Sequence, residues 1–300
     1  MADVAELTVL AEQGGPPSAR RSGRRSPLRR LMRQRMGVLA LTLLIPLYLA
    51  AFLGPLAYRA SPTKTDPLHA NAAVSRAHPL GTDELGRDEL ARLLHGGRVT
   101  LSVGLVSMVV ALAVGLLVGG VAGYYAGWVE IALMRFVDMF MSIPPFFLIL
   151  VELAVFGNSP VIVIVVVGLS YWGQIARVVY AEFLRFRQAD FVEAMSALGA
   201  RGPRILFRHI LPQVVPSAVV LATLVIAWSI LTAAALSYLG LGIQPPLASW
   251  GNMLQNAQSY IWLDTKLAVF PGVLIGVSVL SFNLLGNALR DVLDPRNAGQ

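Results

Sequence analysis

Six long apolar stretches divide this chain of 300 residues, near 36–57, 100–126, 131–156, 160–180, 214–241 and 267–288. At about 1.5 Å per helical residue, each can cross a hydrocarbon core of about 30 Å. Inside that core no water is available, so backbone N–H and C=O groups must pair within the chain, which a lone apolar stretch achieves only as a helix. The pattern predicts an all-α integral membrane protein with six transmembrane helices. Composition agrees, with 56% hydrophobic and 14% charged residues and a mean hydropathy of +0.65. A soluble domain seldom has these values.

Charge placement sets the expected topology. Arg20, Arg21, Arg24, Arg25, Arg29, Arg30, Arg33 and Arg35 all precede the first apolar stretch. Because they abut a span, they read as a membrane anchor that holds residues 1–35 in the cytoplasm against anionic lipid, not as a nucleic-acid arm. The stretch 36–57 exceeds the roughly 7–15 residues of a secretory core and is followed by further spans, so it reads as a retained helix. Six crossings return the tail, 291–300, to the cytoplasm. The 181–213 loop then lies inside, and it carries Arg185, Arg187, Arg201, Arg204 and Arg208 against Glu182, Asp190 and Glu193. The 242–266 loop lies outside with only Asp264 and Lys266, as the positive-inside rule requires. The 58–99 connector also lies outside. Its leucines Leu85, Leu90, Leu93 and Leu94 recur at helical spacing and predict a helix lying on the membrane surface. Pro245, Pro246, Trp250, Tyr260 and Trp262 mark the 243–262 loop as a surface or re-entrant segment with interfacial aromatics. A core of five helices would thus run over 100–290.

Within the spans, Gly115, Gly119, Gly123 and Gly127 recur every fourth residue and predict a smooth ridge for close helix approach. Pro144 and Pro145 predict a kink in the third span, either lining a cavity or filling an awkward space. Arg135 and Asp138 are three apart and either pair or leave Arg135 to snorkel to the headgroups. Glu152 is the acid deepest in an apolar stretch, which makes it a candidate for a polar pathway or a water-accessible interfacial position.

Enzyme chemistry has few footholds. The four histidines, His69, His78, His95 and His209, are not at HExxH spacing, and no GxSxG occurs. The two lysines, Lys64 and Lys266, do not follow a glycine, so there is no Walker A loop. There are no cysteines for a thiolate metal site or nucleophile. The chain also lacks the proton-relay acids and histidines of a secondary carrier and the gating arginines of a channel. A membrane scaffold that binds through 181–213 remains the other class of reading.

The polar interlude between the fourth and fifth stretches is organised. Asp190 is placed to cap a helix, with Glu193 reaching back. Phe191, Ala194, Met195 and Leu198 share one face, and Gly199 suits a left-handed stop. Gly202-Pro203 starts a second short helix and Pro212 closes it. Such a helix packs either on its own membrane domain or in a partner's groove.

The run Glu193-Ala194, Gly199 and Leu211-Pro212 resembles the "EAA" motif of ABC importer permeases, with Met195 in place of the second alanine and His209 where isoleucine is usual. The Arg208-His209-Ile210-Leu211-Pro212 version is similar to the peptide-transporter branch. His78-Pro79-Leu80-Gly81-Thr82-Asp83 with Gly86-Arg87-Asp88 resembles the external segment of "C"-type dipeptide and oligopeptide permeases. Ser237 to Gly242, Gln244-Pro245-Pro246, Trp250-Gly251 and the ending Gly286, Leu289-Arg290-Asp291, Leu293-Asp294-Pro295-Arg296 are similar to the same family. The resemblance covers about residues 30–296. It implies a type I ABC importer permease fold in a prokaryotic plasma membrane, a homologous sibling permease, two cytoplasmic ATPase subunits carrying ATP and Mg, and an extracytoplasmic substrate-binding protein. In this family the 181–213 loop holds the coupling helix, so Asp190, Phe191, Glu193, Ala194, Met195, Leu198, Gly199, Arg208, His209, Leu211 and Pro212 are its candidate docking residues. Peptides are the implied cargo, with nickel and glutathione carried by relatives of the same type. No cofactor or metal is implied in this chain.

Overall fold

The computed structural model describes residues 30–125 and 127–293. The arginines from Arg20 to Arg29 and the Asp294-Pro295-Arg296 ending lie outside the described residues. The elements are α1 (Arg35–Ala57), α2 (Glu89–Tyr124), α3 (Trp128–Met141), α4 (Pro145–Phe156), α5 (Pro160–Arg187), α6 (Asp190–Ala197), α7 (Gly202–Ile205), a π turn (Leu206–Ile210), α8 (Leu211–Tyr238), α9 (Trp250–Ala257) and α10 (Lys266–Leu293). Five helical runs are long and apolar enough to span a bilayer, and α3 with α4 makes a sixth if that bent pair is one crossing.

Three boundaries differ from the sequence reading. The surface helix expected within 83–98 does not exist separately, because residues 89–98 form the first turns of α2 while 83–88, Leu85 included, make a non-helical turn before it. Asp88 caps that helix, its carboxylate accepting from the Ala91 N–H at 2.8 Å. Gly96 and Gly97, which weaken an isolated helix, are kept helical by external packing, with Ser249 and Trp250 pressed against them. The third span is broken, not kinked. Consecutive prolines remove two donors, and a residue before proline is driven out of helical geometry. The chain therefore leaves the helix at Ser142–Pro144, and α3 and α4 meet at 88°. Finally, α5 runs on to Arg187 and the continuous helix into the next span starts at Gly202, which shortens the segment between them to residues 188–201, with α6 inside it.

The centre of the bundle is the α2–α5 contact. A β-carbon on Gly115 would lie 2.6 Å from that of Ile175, one on Gly119 would strike the Ala176 carbonyl, and one on Gly123 would strike Phe183. From the other side Gly168 meets Ser107 and Val110, and the Ser107 hydroxyl donates to the Ile164 carbonyl at 2.8 Å. In an apolar medium such close backbone approach supplies the packing that hydrophobic exclusion supplies in water. Gly127 is no part of this ridge. It stands in the turn before α3 at φ +74° with open space around it. The ridge ends because α2 stops at Tyr124.

A first core cluster joins α2, α5 and α8 around Val103, Val167, Ile175, Val214 and Val225. A second joins α1, α2, α8, α9 and α10 around Leu44, Leu101, Ile230, Trp250 and Phe282.

Candidate functional site

At one end of the bundle, a helical turn over residues 188–210 projects between α5 and α8. Its first helix, α6, begins one residue earlier than a cap at Asp190 requires. Ala189 takes the extended N-cap geometry, and no side chain caps the helix. Asp190 and Glu193 both fall in the first turn, where their charge favours the helix N-terminus through its dipole. Gly199 ends α6 at φ +81°. Its N–H donates to Ser196 at 3.0 Å, and that of Ala200 donates to Met195 at 3.0 Å, the paired bonds of a Schellman stop.

Pro212 does not close the second helix. Helix runs without interruption from Gly202 to Tyr238, and the turn just before Pro212 widens to π geometry. A proline in tight α geometry would collide with the carbonyl four residues back, and the wider turn relieves that collision. Pro203 is the second residue of α7, after Gly202.

The faces of this turn also differ from the expected one. Met195 points inward with Val192, packing on a cluster that includes Phe183, Ile205 and Ile210. Ala200, Leu206 and Leu211 join them. Phe191 and His209 are half-buried. Glu193, Ala194, Gly199, Arg208 and Pro212 are exposed. Leu198 is 87% exposed and Phe207 66% exposed. Val192 and Phe207 escaped the sequence reading. Val192 could have been found from its i, i+3 spacing with Met195, whereas nothing local in the sequence singles out Phe207. Beneath α6 lies a cavity of about 250 Å³ bounded by Tyr124, Phe183, Val192, Ser196 and Ile205, so the turn is propped on its neighbours and not packed solid.

The intramembrane polar residues are rearranged too. Asp138 does not pair with Arg135, which is exposed. It accepts instead from Arg177 on α5. Glu130, which the sequence reading passed over, accepts from the Tyr180 hydroxyl. Glu152 is half-buried in α4 and meets only the Ser170 hydroxyl, at 3.4 Å.

The opposite end is built differently. Asp83 accepts from Arg87 Nε at 2.7 Å and pairs with Arg92 Nε at 3.2 Å, all three side chains being buried. Its other oxygen accepts the Leu85 and Arg87 N–H groups at 3.0 and 2.9 Å. Asp88 accepts from Tyr58 at 2.7 Å and lies 2.8 Å from His78 Nδ1. Desolvation, reinforced by that Asp88 carboxylate, pushes the Tyr58 phenol up to about 12, so it remains a donor. On the exposed connector, a hydrogen bond from His69 holds Asp66 below the usual carboxylate range. Helix α9 straps this end down, with Trp250 donating to the Leu93 carbonyl at 3.0 Å and its N–H to Thr100 Oγ1 at 3.1 Å. A reciprocal cap between Ser249 and Asn252 starts that strap.

Residues 115–299 match the family described as the binding-protein-dependent transport system inner membrane component, and that match takes in the turn, the Gly115, Gly119 and Gly123 ridge with α5, and α9. The chain belongs to this family. Residues 25–77 of the permease also match the N-terminal TM domain of oligopeptide transport permease C. Curated relatives agree. It is 41% identical over 226 residues to the glutathione transport system permease protein GsiD of Pectobacterium atrosepticum, spanning 75% of each chain. It is 39% identical over 269 residues to a putative peptide permease protein of Brucella suis, spanning 89% of each. It is 34% identical over 275 residues to the dipeptide transport system permease protein DppC of Alkalihalophilus pseudofirmus, spanning 91% of this chain and 90% of that one. A chain of the MetNI methionine ABC transporter, solved in inward-facing conformations, matches with a TM-score of 0.55 at 22% identity over 67% of this permease and 96% of that chain. At that identity the match establishes the shared ABC importer permease fold. The protein is thus a multi-pass inner membrane transport subunit, which in general works with an ATPase and a substrate-binding protein.

Proposed function

We propose that this permease forms half of the translocation pathway of an ATP-driven importer of di- or oligopeptides, with its 188–210 turn as the ATPase-coupling element. A homologous sibling permease completes the pathway, and two cytoplasmic ATPase subunits supply the ATP and Mg chemistry. An extracytoplasmic binding protein delivers cargo to the end strapped by α9, and both termini face the cytoplasm.

The observation that carries this reading is the turn itself. It places Glu193, Ala194, Leu198 and Phe207 on an open surface while Val192 and Met195 anchor it to α5 and α7. An 87% exposed leucine beside a left-handed glycine is poor local packing and a good contact for a partner's groove. Closure of an ATPase dimer against this surface would displace the turn, and the helices on either side would carry the displacement into the membrane as rigid bodies. Arg208, His209, Leu211 and Pro212 form the return from the turn into α8, so they transmit the movement more than they contact the partner.

Glutathione is the second cargo reading, favoured by the similarity to GsiD. The deciding experiment is uptake of labelled di- and oligopeptides, glutathione and nickel in cells lacking only this chain. Lost peptide uptake, restored by the wild-type chain and not by Gly199→Asp, supports the proposal. Lost glutathione or nickel uptake with intact peptide uptake replaces the cargo, and restoration by Gly199→Asp refutes the coupling role.

A further inference from the structure

Helix α5 connects two parts of the permease. Its end at Arg187 is two residues from α6, while its body carries α3. Arg177 donates to Asp138, and the Tyr180 hydroxyl donates to Glu130. Arg177 and Tyr180 are three residues apart and share a face of α5. Glu130 lies in the first turn of α3, and Asp138 follows about two turns later. Further along, Trp172 stacks on Phe136 at 6.0 Å and lies 5.1 Å from Phe140 between ring centroids. A β-carbon on Gly173 would lie 2.9 Å from Met141 Cγ. Contacts thus run from the first turn of α3 to its last residue. Directly beyond, the chain breaks at Ser142–Pro144, and α4 departs at 88° with Phe147, Val151 and Val155 exposed.

Here two polar pairs join the same two helices. We propose that α3 and α5 move as one lever, latched by Arg177–Asp138 and Tyr180–Glu130, which delivers displacement of the 188–210 turn to the bend before α4. The proposal rests on the coupling reading above. The two latch pairs are positioning residues. They meet neither nucleotide nor the docking surface, and they keep the bend in step with the turn. The Arg177 and Asp138 side chains are 53% and 45% exposed, so as a plain ion pair they would add little to stability. A latch role and a structural role therefore predict different results.

The test uses the permease reconstituted in proteoliposomes with its partner subunits, reading peptide taken up per ATP hydrolysed. Asp138→Arg and Arg177→Asp should each lower that ratio about tenfold, within the usual span of coupling free energies, while assembly persists. The double variant should bring it back to near the wild-type value. Single variants with a wild-type ratio, or a double variant as uncoupled as the singles, would overturn the latch. Because the chain has no cysteine, Met141→Cys with Gly173→Cys introduces the only thiol pair in it. Oxidation should leave uptake unchanged if the two helices travel together. Loss on oxidation, recovered with a reductant, would show that they must separate and would also overturn the latch. Failure of the wild-type chain to retain any ATPase counts instead against the coupling reading.

Discussion

The two ends of this permease are stabilised in opposite ways. At the strapped end, Asp83, Arg87, Arg92 and Asp88 are buried and find their partners within the chain. At the turn end, the helix between Ala189 and Gly199 has no side-chain cap, rests over a cavity and exposes Leu198 almost fully. A buried ion cluster must satisfy itself, because each unpaired charge is heavily penalised. An exposed apolar turn carries no such requirement and can leave its surface for another protein. The contrast separates a part where Asp83, Arg87, Arg92 and Asp88 pair within the chain from a part that leaves the apolar side chain of Leu198 open.

Removing the centre of the buried cluster should have the largest effect. Asp83→Ala leaves two buried guanidinium groups underpaired and should cost about 3–5 kcal/mol. Thermal melting in detergent should show a large fall, and an unchanged melt would mean that the cluster is hydrated and the contrast false. Trp250→Ala empties the strap from Gly97 and should cost a further, independent amount of about 3–5 kcal/mol, read by the same melt. If the strap is held by its cap instead, Ser249→Ala will match it, although loss of a cap alone is worth about 1 kcal/mol.

At the other end the expected stability effects are small. Gly199→Ala forces a β-carbon into the left-handed region, in open space, and should cost about 1–2 kcal/mol. Gly199→Asn should cost less, because asparagine tolerates that conformation, and equal losses would implicate something other than backbone strain. Smallest of all, Leu198→Asp should change the melt by no more than about 0.5 kcal/mol. The same variant should abolish retention of an ATPase on purification. A variant that melts and retains its partner like the wild type would remove the turn from the coupling surface.

What could be read ahead of the structure followed the physics of each segment. Spans were legible because hydrocarbon permits only helices there, and the Gly115, Gly119, Gly123 spacing was legible because helical periodicity is local. Gly199 was legible because a left-handed stop needs glycine within one turn of the helix end. Asp190 was misplaced as a cap because helix starts shift by a residue at little cost, and Ala189 took the position. Leu90, Leu93 and Leu94 suggested a surface helix because nothing nearby in the sequence reports that Trp250, more than 150 residues on, packs against that stretch. Asp138 and Arg135 were the available local pair, yet Asp138 found Arg177 across a helix contact.

By itself, then, the sequence determined that the chain crosses a membrane in about six helices, where glycine allows close approach, and where a short helix ended by Gly199 interrupts the spans. Those features depend on residues within a few turns of one another and on the solvent around them. Only the tertiary structure decided that α2 begins at Glu89 under an Asp88 cap, that the third span breaks at 88°, that Met195 faces in while Leu198 faces out, and that α3 is tied to α5. Each of these depends on a contact between distant segments, and a charge or a face goes to the partner that the packed bundle brings near it.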